Sequence, residues 1–424
     1  MTSFSELGIA PRLLDAIERL GFTTPTPIQH QSIPAAIDGK DVVGVAQTGT
    51  GKTLAFGIPM LQRLAREKGS GLIVLPTREL ALQVDEEILK VGRAVGLRTA
   101  VLIGGASMSN QIAAIKKNPH IVIATPGRLI DHLEQKTIQL GTVTILVLDE
   151  ADRMLDMGFA PQLKRILQSV PDPQKRQTML FSATMPDAIM DIARHQMRMP
   201  VRIEVARSGT AAEKVEQEVF IVPKNDKARL LEKLLSENRG SILVFMRTKH
   251  TAKRIMRAVK SMGHTSAELH SNRSLAQRRD ALDGFKNGKY RVLVATDIAA
   301  RGIDVRGIAL VVNYDLPTNT EDYVHRIGRT GRAGLAGRAV SFAMPDQRSD
   351  IKAIERLIRK TLRVSALPEL PPARAKAASD FGDRTASFAP GQRSFRRGSQ
   401  ASHGRRRSFG GGHARRPSRS RSRY

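Results

Sequence analysis

The sequence of 424 residues contains no cysteine, which excludes disulfides and thiolate-bound metal. Nowhere does an apolar stretch approach the roughly 20 residues needed to cross a bilayer. The opening Met1-Thr2-Ser3-Phe4-Ser5-Glu6 lacks the basic start and apolar run of a secretory leader. The expectation is a cytoplasmic protein with no membrane partner. Acidic side chains are also scarce, with 40 Asp and Glu against 68 Lys and Arg, a net charge of +28. Residues 371–424 hold 14 basic and 2 acidic side chains, and the rest of the chain still holds 54 against 38. A cationic excess on the body as well as the tail favours a polyanion partner, because each neutralised phosphate releases counterions. No basic amphipathic helix with a strong apolar face stands out to favour an anionic membrane instead.

What the sequence has in quantity is short apolar runs alternating with longer helix-like segments. At 41% hydrophobic residues, a chain of this length supports about two to three domains. The runs are 41–46, 72–75, 121–124, 145–148 and 179–181, then 219–222, 242–245, 292–295, 309–312 and 339–342. They are rich in Val, Ile and Leu with little polar alternation, as in parallel strands buried on both faces. The repetition predicts two tandem doubly wound α/β domains with parallel sheets, at 1–204 and 205–366. Residues 367–424 form a third segment of Pro, Ala, Gly, Ser and Arg, too poor in apolar residues to bury a core and expected to be disordered. Its arginines, with Phe381, Phe388, Phe395, Phe409 and Tyr424, suit a sequence-tolerant RNA tether.

Two segments of the first half carry chemistry. Ala46-Gln47-Thr48-Gly49-Thr50-Gly51-Lys52-Thr53 follows an apolar run and precedes a helix-like stretch, the setting of a phosphate-binding loop. Its glycines let backbone N–H groups surround phosphate oxygens at the positive end of a helix. Lys52 offers a charge to the outer phosphates and Thr53 a hydroxyl to Mg2+. Asp149-Glu150-Ala151-Asp152 ends the run 144–148, at the sheet edge where ligands of open α/β folds bind. Asp149 is a second candidate metal ligand, and Glu150 a base or orienter for the attacking water. ATP and Mg2+ are the implied cofactors.

The second half has no phosphate-binding loop but carries His325-Arg326-Ile327-Gly328-Arg329-Thr330-Gly331-Arg332. Arg329 and Arg332 project from one turn and suit arginine fingers that complete the first half's site. Hydrolysis would then depend on closure of the two halves.

In this order, the motifs resemble those of the DEAD-box RNA helicases over 4–363. The resemblance implies two RecA-like domains and assigns Phe4 and the 21–29 segment to adenine. Phe22 there offers a stacking face, and the Gln29 amide can both donate to and accept from a base edge. It assigns Pro76-Thr77-Arg78-Glu79-Leu80, Gly104-Gly105 and Thr125-Pro126-Gly127-Arg128 to RNA backbone, and Ser182-Ala183-Thr184 to coupling hydrolysis with strand separation. Phe245-Met246-Arg247-Thr248 and Gln277-Arg278 are further RNA-facing matches. The segment from Thr296 through Gly302 to Asp304 would touch both RNA and nucleotide, with Asp304 near the ribose. Arg247-Thr248-Lys249-His250 and the short basic tail are similar to the bacterial RhlE-type subfamily. The implied partner is structured or duplex RNA, with ribosomal particles or RNA-decay machinery by family analogy. The rival readings are a translocating DNA helicase and an RNA chaperone or clamp.

Overall fold

The parallel strands expected from the apolar runs form two separate sheets in the computed structural model, which describes residues 3–46, 49–205, 215–300, 305, 307–331 and 337–372. The first sheet comprises β1 (Val42–Val45), β2 (Ser70–Val74), β3 (Thr99–Leu102), β4 (Ile121–Ala124), β5 (Val143–Asp149), β6 (Gln177–Ser182) and β7 (Val201–Glu204). The second comprises β8 (Val215–Ile221), β9 (Ser241–Met246), β10 (Ser266–Leu269), β11 (Val292–Thr296), β12 (Ile308–Asn313), β13 (Gly337–Ala343) and β14 (Arg363–Ser365). All pairings are parallel. The strand orders are β3-β4-β2-β5-β6-β1-β7 and β10-β11-β9-β12-β13-β8-β14, so the second sheet repeats the first position for position.

Each sheet is buried on both faces by helices. In the first, Val42, Ile73, Ile145 and Met179 face one core, while Val43, Leu72, Leu146 and Leu180 face the other. The central strands are therefore apolar at successive residues, which is why their runs show in the sequence. The four strands that leave no such run, β3, β7, β10 and β14, are the four sheet edges. β7 buries only Ile203, and β14 buries none of its three residues. An edge strand packs less of its surface, so its sequence carries less apolar signal.

The repeat extends to one buried ion pair. Lys52 is the first residue of the helix after β1, and its Nζ lies 3.5 Å from Asp149 Oδ1 at the end of β5. Lys227 is the first residue of the helix after β8, and its Nζ lies 3.2 Å from Asp315 Oδ1, just beyond β12. Lys227 also donates to the Tyr314 carbonyl at 2.8 Å. Burial lowers its pKa, against the pull of Asp315.

The segment 206–214, where the sequence suggests the join, lies outside the described residues. The first residues of the expected tail lie against the second sheet's helices: Arg229 Nε donates to the Pro371 carbonyl at 2.6 Å, and Leu370 packs on that core.

Candidate functional site

The chemistry-bearing segments all emerge at the C-terminal ends of strands, as the open-sheet rule requires. The 46–53 loop leaves β1, Pro76 and Thr77 follow β2, Thr125 follows β4, Asp149 and Glu150 end β5, and Ser182 ends β6. In the second sheet Arg247 follows β9 and Thr296 ends β11.

At the phosphate loop, Gly51 adopts φ +90 and stands as the cap of the helix Lys52–Leu64. A Cβ there would collide with the Gln29 amide, so the position is restricted by both conformation and space. Gln29 is buried, with its Oε1 accepting from Thr26 N–H at 2.9 Å and its Nε2 donating to the Gly51 carbonyl at 3.0 Å. This amide therefore ties the 21–29 segment to the phosphate loop, a contact the adenine assignment did not anticipate. Phe22 is 40% exposed and has a free face. Gln47 and Thr48 lie outside the described residues.

Lys52 and Asp149 are both buried, and burial pushes the Asp149 carboxyl up while the Lys52 ammonium opposes the shift. Thr53 is half-buried on the first turn of the same helix as Lys52. Among the described residues no group of three or more His, Asp or Glu could cage a metal. One carboxylate and one hydroxyl, both hard oxygen donors, fit Mg2+, which takes few protein ligands and completes its shell with phosphates and water.

Glu150 caps the helix Ala151–Asp156 with φ 52 and ψ 48, an uncommon conformation for a residue with a side chain. Its N–H donates to Asp149 Oδ1 at 2.9 Å, and its Oε2 accepts from Arg153 Nη1 at 2.9 Å, with both side chains buried. Asp152 faces β6: its Oδ2 accepts from Ala183 N–H at 3.0 Å, Thr184 N–H at 2.9 Å and the Thr184 hydroxyl at 3.1 Å. Its own N–H donates to Ser182 Oγ at 3.2 Å. Ser182 and Thr184 therefore hold the quartet in place through Asp152.

The two sheets meet across this edge. Arg278 Nη2 donates to Glu79 Oε2 at 2.7 Å with both side chains buried, and Leu275 packs on the first sheet's core. Gln277 accepts from Ser274 N–H and caps its own helix. The expected RNA-facing pair thus serves a helix cap and a contact between the halves. Arg153 shares a small cavity with Phe245, Asp297, Asp322, His325, Arg326 and Arg329 of the second half. Arg326 is buried and bidentate to Asp297 at 2.5 and 2.7 Å, reaches Asn313 Oδ1 and the Asp315 carbonyl, and stacks on Phe245. Arg329 is buried and its Nε donates to the His325 carbonyl at 3.2 Å. Arg332, Gly302 and Asp304 lie outside the described residues.

On the remaining edge, Thr77 caps the helix Arg78–Gly92 through Leu80 N–H, and the Arg78 guanidinium lies over Gly104 and Gly105. Arg128 Nη1 donates to the Ala106 carbonyl at 3.1 Å. Buried His132 joins Gln111 at 3.0 Å and Thr137 at 2.7 Å, linking the helices that follow both turns. Pro76, Thr77, Thr125 and Pro126 are buried, Arg78, Gly127, Arg128 and Thr296 are half-buried, and Gly105 and Arg247 are exposed. Arg247 N–H donates to Asp315 Oδ2 at 3.1 Å.

Sequence reasoning did not single out Arg153, gave Asp152 no role beyond its place in the quartet, and did not pair Glu79 with Arg278. Arg153 had a local signal, three residues beyond Glu150 on a short helix. Arg278 had none, because its partner is distant in sequence.

Comparison with known proteins follows the same lines. The family description DEAD/DEAH box helicase matches residues 26–192, and Helicase conserved C-terminal domain matches 226–334. DEAD-box ATP-dependent RNA helicase CshA of Bacillus cereus is 43% identical over 373 residues, covering 87% of this chain and 71% of the relative. Saccharomyces cerevisiae Dbp5 bound to RNA and ADP BeF3 superposes with TM-score 0.78 at 32% identity, covering 87% of this chain and 96% of that one. A Dbp5 variant bound to Nup159, a Gle1 variant, IP6 and ADP gives only 0.58 at 31% identity, covering 85% and 96%. The two halves are therefore arranged more like Dbp5 with RNA and ADP BeF3.

Proposed function

This chain belongs to the DEAD-box ATP-dependent RNA helicases, and on that premise we propose how its residues divide the work. The activity is ATP-dependent local unwinding of short RNA duplexes and remodelling of RNA–protein complexes, with hydrolysis coupled to closure of two RecA-like domains on RNA. We place the domain boundary at 204/205 and the end of the second domain at 366.

In this reading the backbone of Ala46, Gln47, Thr48, Gly49, Thr50 and Gly51, with Lys52, takes the triphosphate. Phe22 and Gln29 take the adenine, and Gly302 and Asp304 the ribose side. Thr53 and Asp149 would hold Mg2+, which when bound would offset the charge of the phosphates. Glu150 orients the attacking water and takes its proton. Arg329 and Arg332 face the γ-phosphate from the second domain. Ser182 and Thr184 are positioning residues that act through Asp152. The RNA backbone runs over Arg78, Gly105, Gly127, Arg128, Arg247 and Thr296, with Pro76, Thr77, Thr125 and Pro126 shaping the turns beneath it.

The observation that carries this reading is the buried Glu79–Arg278 pair, which unites the RNA-facing turn after β2 with the second domain. Removing one partner of a buried ion pair strands the other, at a cost of about 2–5 kcal/mol. Arg278→Gln is therefore expected to weaken RNA binding at least tenfold in the presence of a non-hydrolysable ATP analogue. Nucleotide binding without RNA should not change. Equal RNA affinity of variant and parent in an anisotropy titration would reject the pair as a closure contact.

RNA and DNA strands of equal length separate this reading from the DNA helicase. RNA should stimulate ATPase and DNA should not; equal stimulation would overturn the RNA assignment. The phrase at 247–250 favours the RhlE type, whereas the Bacillus cereus relative is named CshA. We place the protein in the cytoplasm, acting on structured RNA in ribosomal particles or with the RNA-decay machinery. Crosslinking in cells and sequencing the bound fragments tests that placement. No helix among the described residues is long and apolar enough to cross a membrane.

A further inference from the structure

We propose that the outward face of the helix Lys249–Ser261 is a second RNA surface, taking the phosphate backbone of RNA that flanks the segment held at the domain edge. This rests on the reading of Arg247 as an RNA-facing residue. The helix reads Lys-His-Thr-Ala-Lys-Arg-Ile-Met-Arg-Ala-Val-Lys-Ser, with five Lys or Arg, one His and no acidic residue. Ala252, Ile255, Met256 and Val259 are buried in the second sheet's core. That burial excludes a membrane as the occupant, because the apolar face is already covered. It also drives Lys253, Arg254, Arg257 and Lys260 outward, where all four are exposed.

The face is unneutralised, although the fold neutralises similar faces elsewhere. Arg63 pairs with Glu67, Lys90 with Glu86 and Lys233 with Glu237, each one helical turn away. Lys253, Arg254, Arg257 and Lys260 make no ion pair or hydrogen bond among the described residues. Like charges at i,i+3 and i,i+4 each cost about 0.2–0.5 kcal/mol. The helix dipole favours only the cation in the last turn, Lys260. The remaining cations are favourable only when an outside anion is present.

Position selects RNA as that anion. The helix is capped by Thr248 and begins directly after Arg247, so its cationic stripe continues from the edge already assigned to RNA. Lys253 and Lys260 are separated by about 10 Å along the axis, enough to meet successive phosphates of one strand.

The test uses the full chain and two RNAs sharing one short single-stranded segment, the second extended by a flanking duplex. Affinity is measured against salt concentration with a non-hydrolysable ATP analogue. The triple variant Lys253→Gln, Arg257→Gln and Lys260→Gln should bind the extended RNA about tenfold more weakly. Its log–log salt slope should fall by about 2 to 3, at about 0.9 for each of three lost phosphate contacts. The short RNA should bind as before. The charge-keeping triple Lys253→Arg, Arg257→Lys and Lys260→Arg should restore extended-RNA binding. An unchanged slope on the extended RNA, or equal losses on both RNAs, would overturn the proposal. Arg247→Ala checks the underlying reading separately and should weaken both RNAs; if it weakens neither, that reading fails whatever the triple variant does.

Discussion

Glu150→Gln is expected to lower RNA-stimulated ATP turnover by at least 100-fold while nucleotide binding persists. A general base contributes about 10² to 10⁴ in rate, and Gln keeps the shape of Glu while losing its proton-accepting charge. The geometry sharpens the expectation. Glu150 is held at φ 52 beneath the end of β5, and its carboxylate is fixed by buried Arg153 at 2.9 Å. Such a carboxylate is aimed before substrate arrives, so its loss falls on the chemical step. ATPase assays with saturating RNA, beside titration of a fluorescent nucleotide, separate the two effects. Turnover within a few-fold of the parent would remove Glu150 from the role of base.

Arg329→Ala is expected to cost more under stimulated conditions, about 10³-fold or greater, the range found for arginine fingers. The RNA-independent rate should change far less, because the second domain reaches the nucleotide only on closure. Arg326→Ala, three residues earlier, should behave differently. Arg326 is buried and bound to Asp297, Asn313 and the Asp315 carbonyl. Its removal strands Asp297 and should cost about 3–5 kcal/mol of stability, read as a lower melting temperature. A normal melting curve with lost stimulation for Arg329→Ala, against an early transition for Arg326→Ala, is the predicted contrast. An early transition in both would make Arg329 a structural residue.

The ten apolar runs correspond to the ten inner strands, because a parallel strand covered on both faces is apolar at successive positions. Among the edge strands, Val201–Glu204 and Arg363–Ser365 were illegible because they bury so little, and Ser266–Leu269 because two of its buried residues, Ser266 and Glu268, are polar. The phosphate loop and quartet could be read because backbone chemistry constrains them locally. Lys52 does reach Asp149. Gln29 was legible as a functional amide, but not as the residue bracing Gly51. Arg278 was read as RNA-facing, and its pairing with Glu79 was not legible, because nothing near it in the chain names that partner. Pairings that form only when two domains meet leave no periodicity to follow.

The paired lysines show what separates a working site from its copy. Among the described residues Lys52 is paired with the Asp149 carboxylate, and it follows a glycine loop, so it can exchange part of that partnership for a phosphate. Lys227, at the same topological point, is bound by both a carboxylate and the Tyr314 carbonyl. Asp315 also receives the backbone N–H of Arg247. The second copy is therefore locked by its own groups and braces the turn at Arg247. One topological arrangement serves the molecule twice, as a socket in one domain and as a rivet in the other.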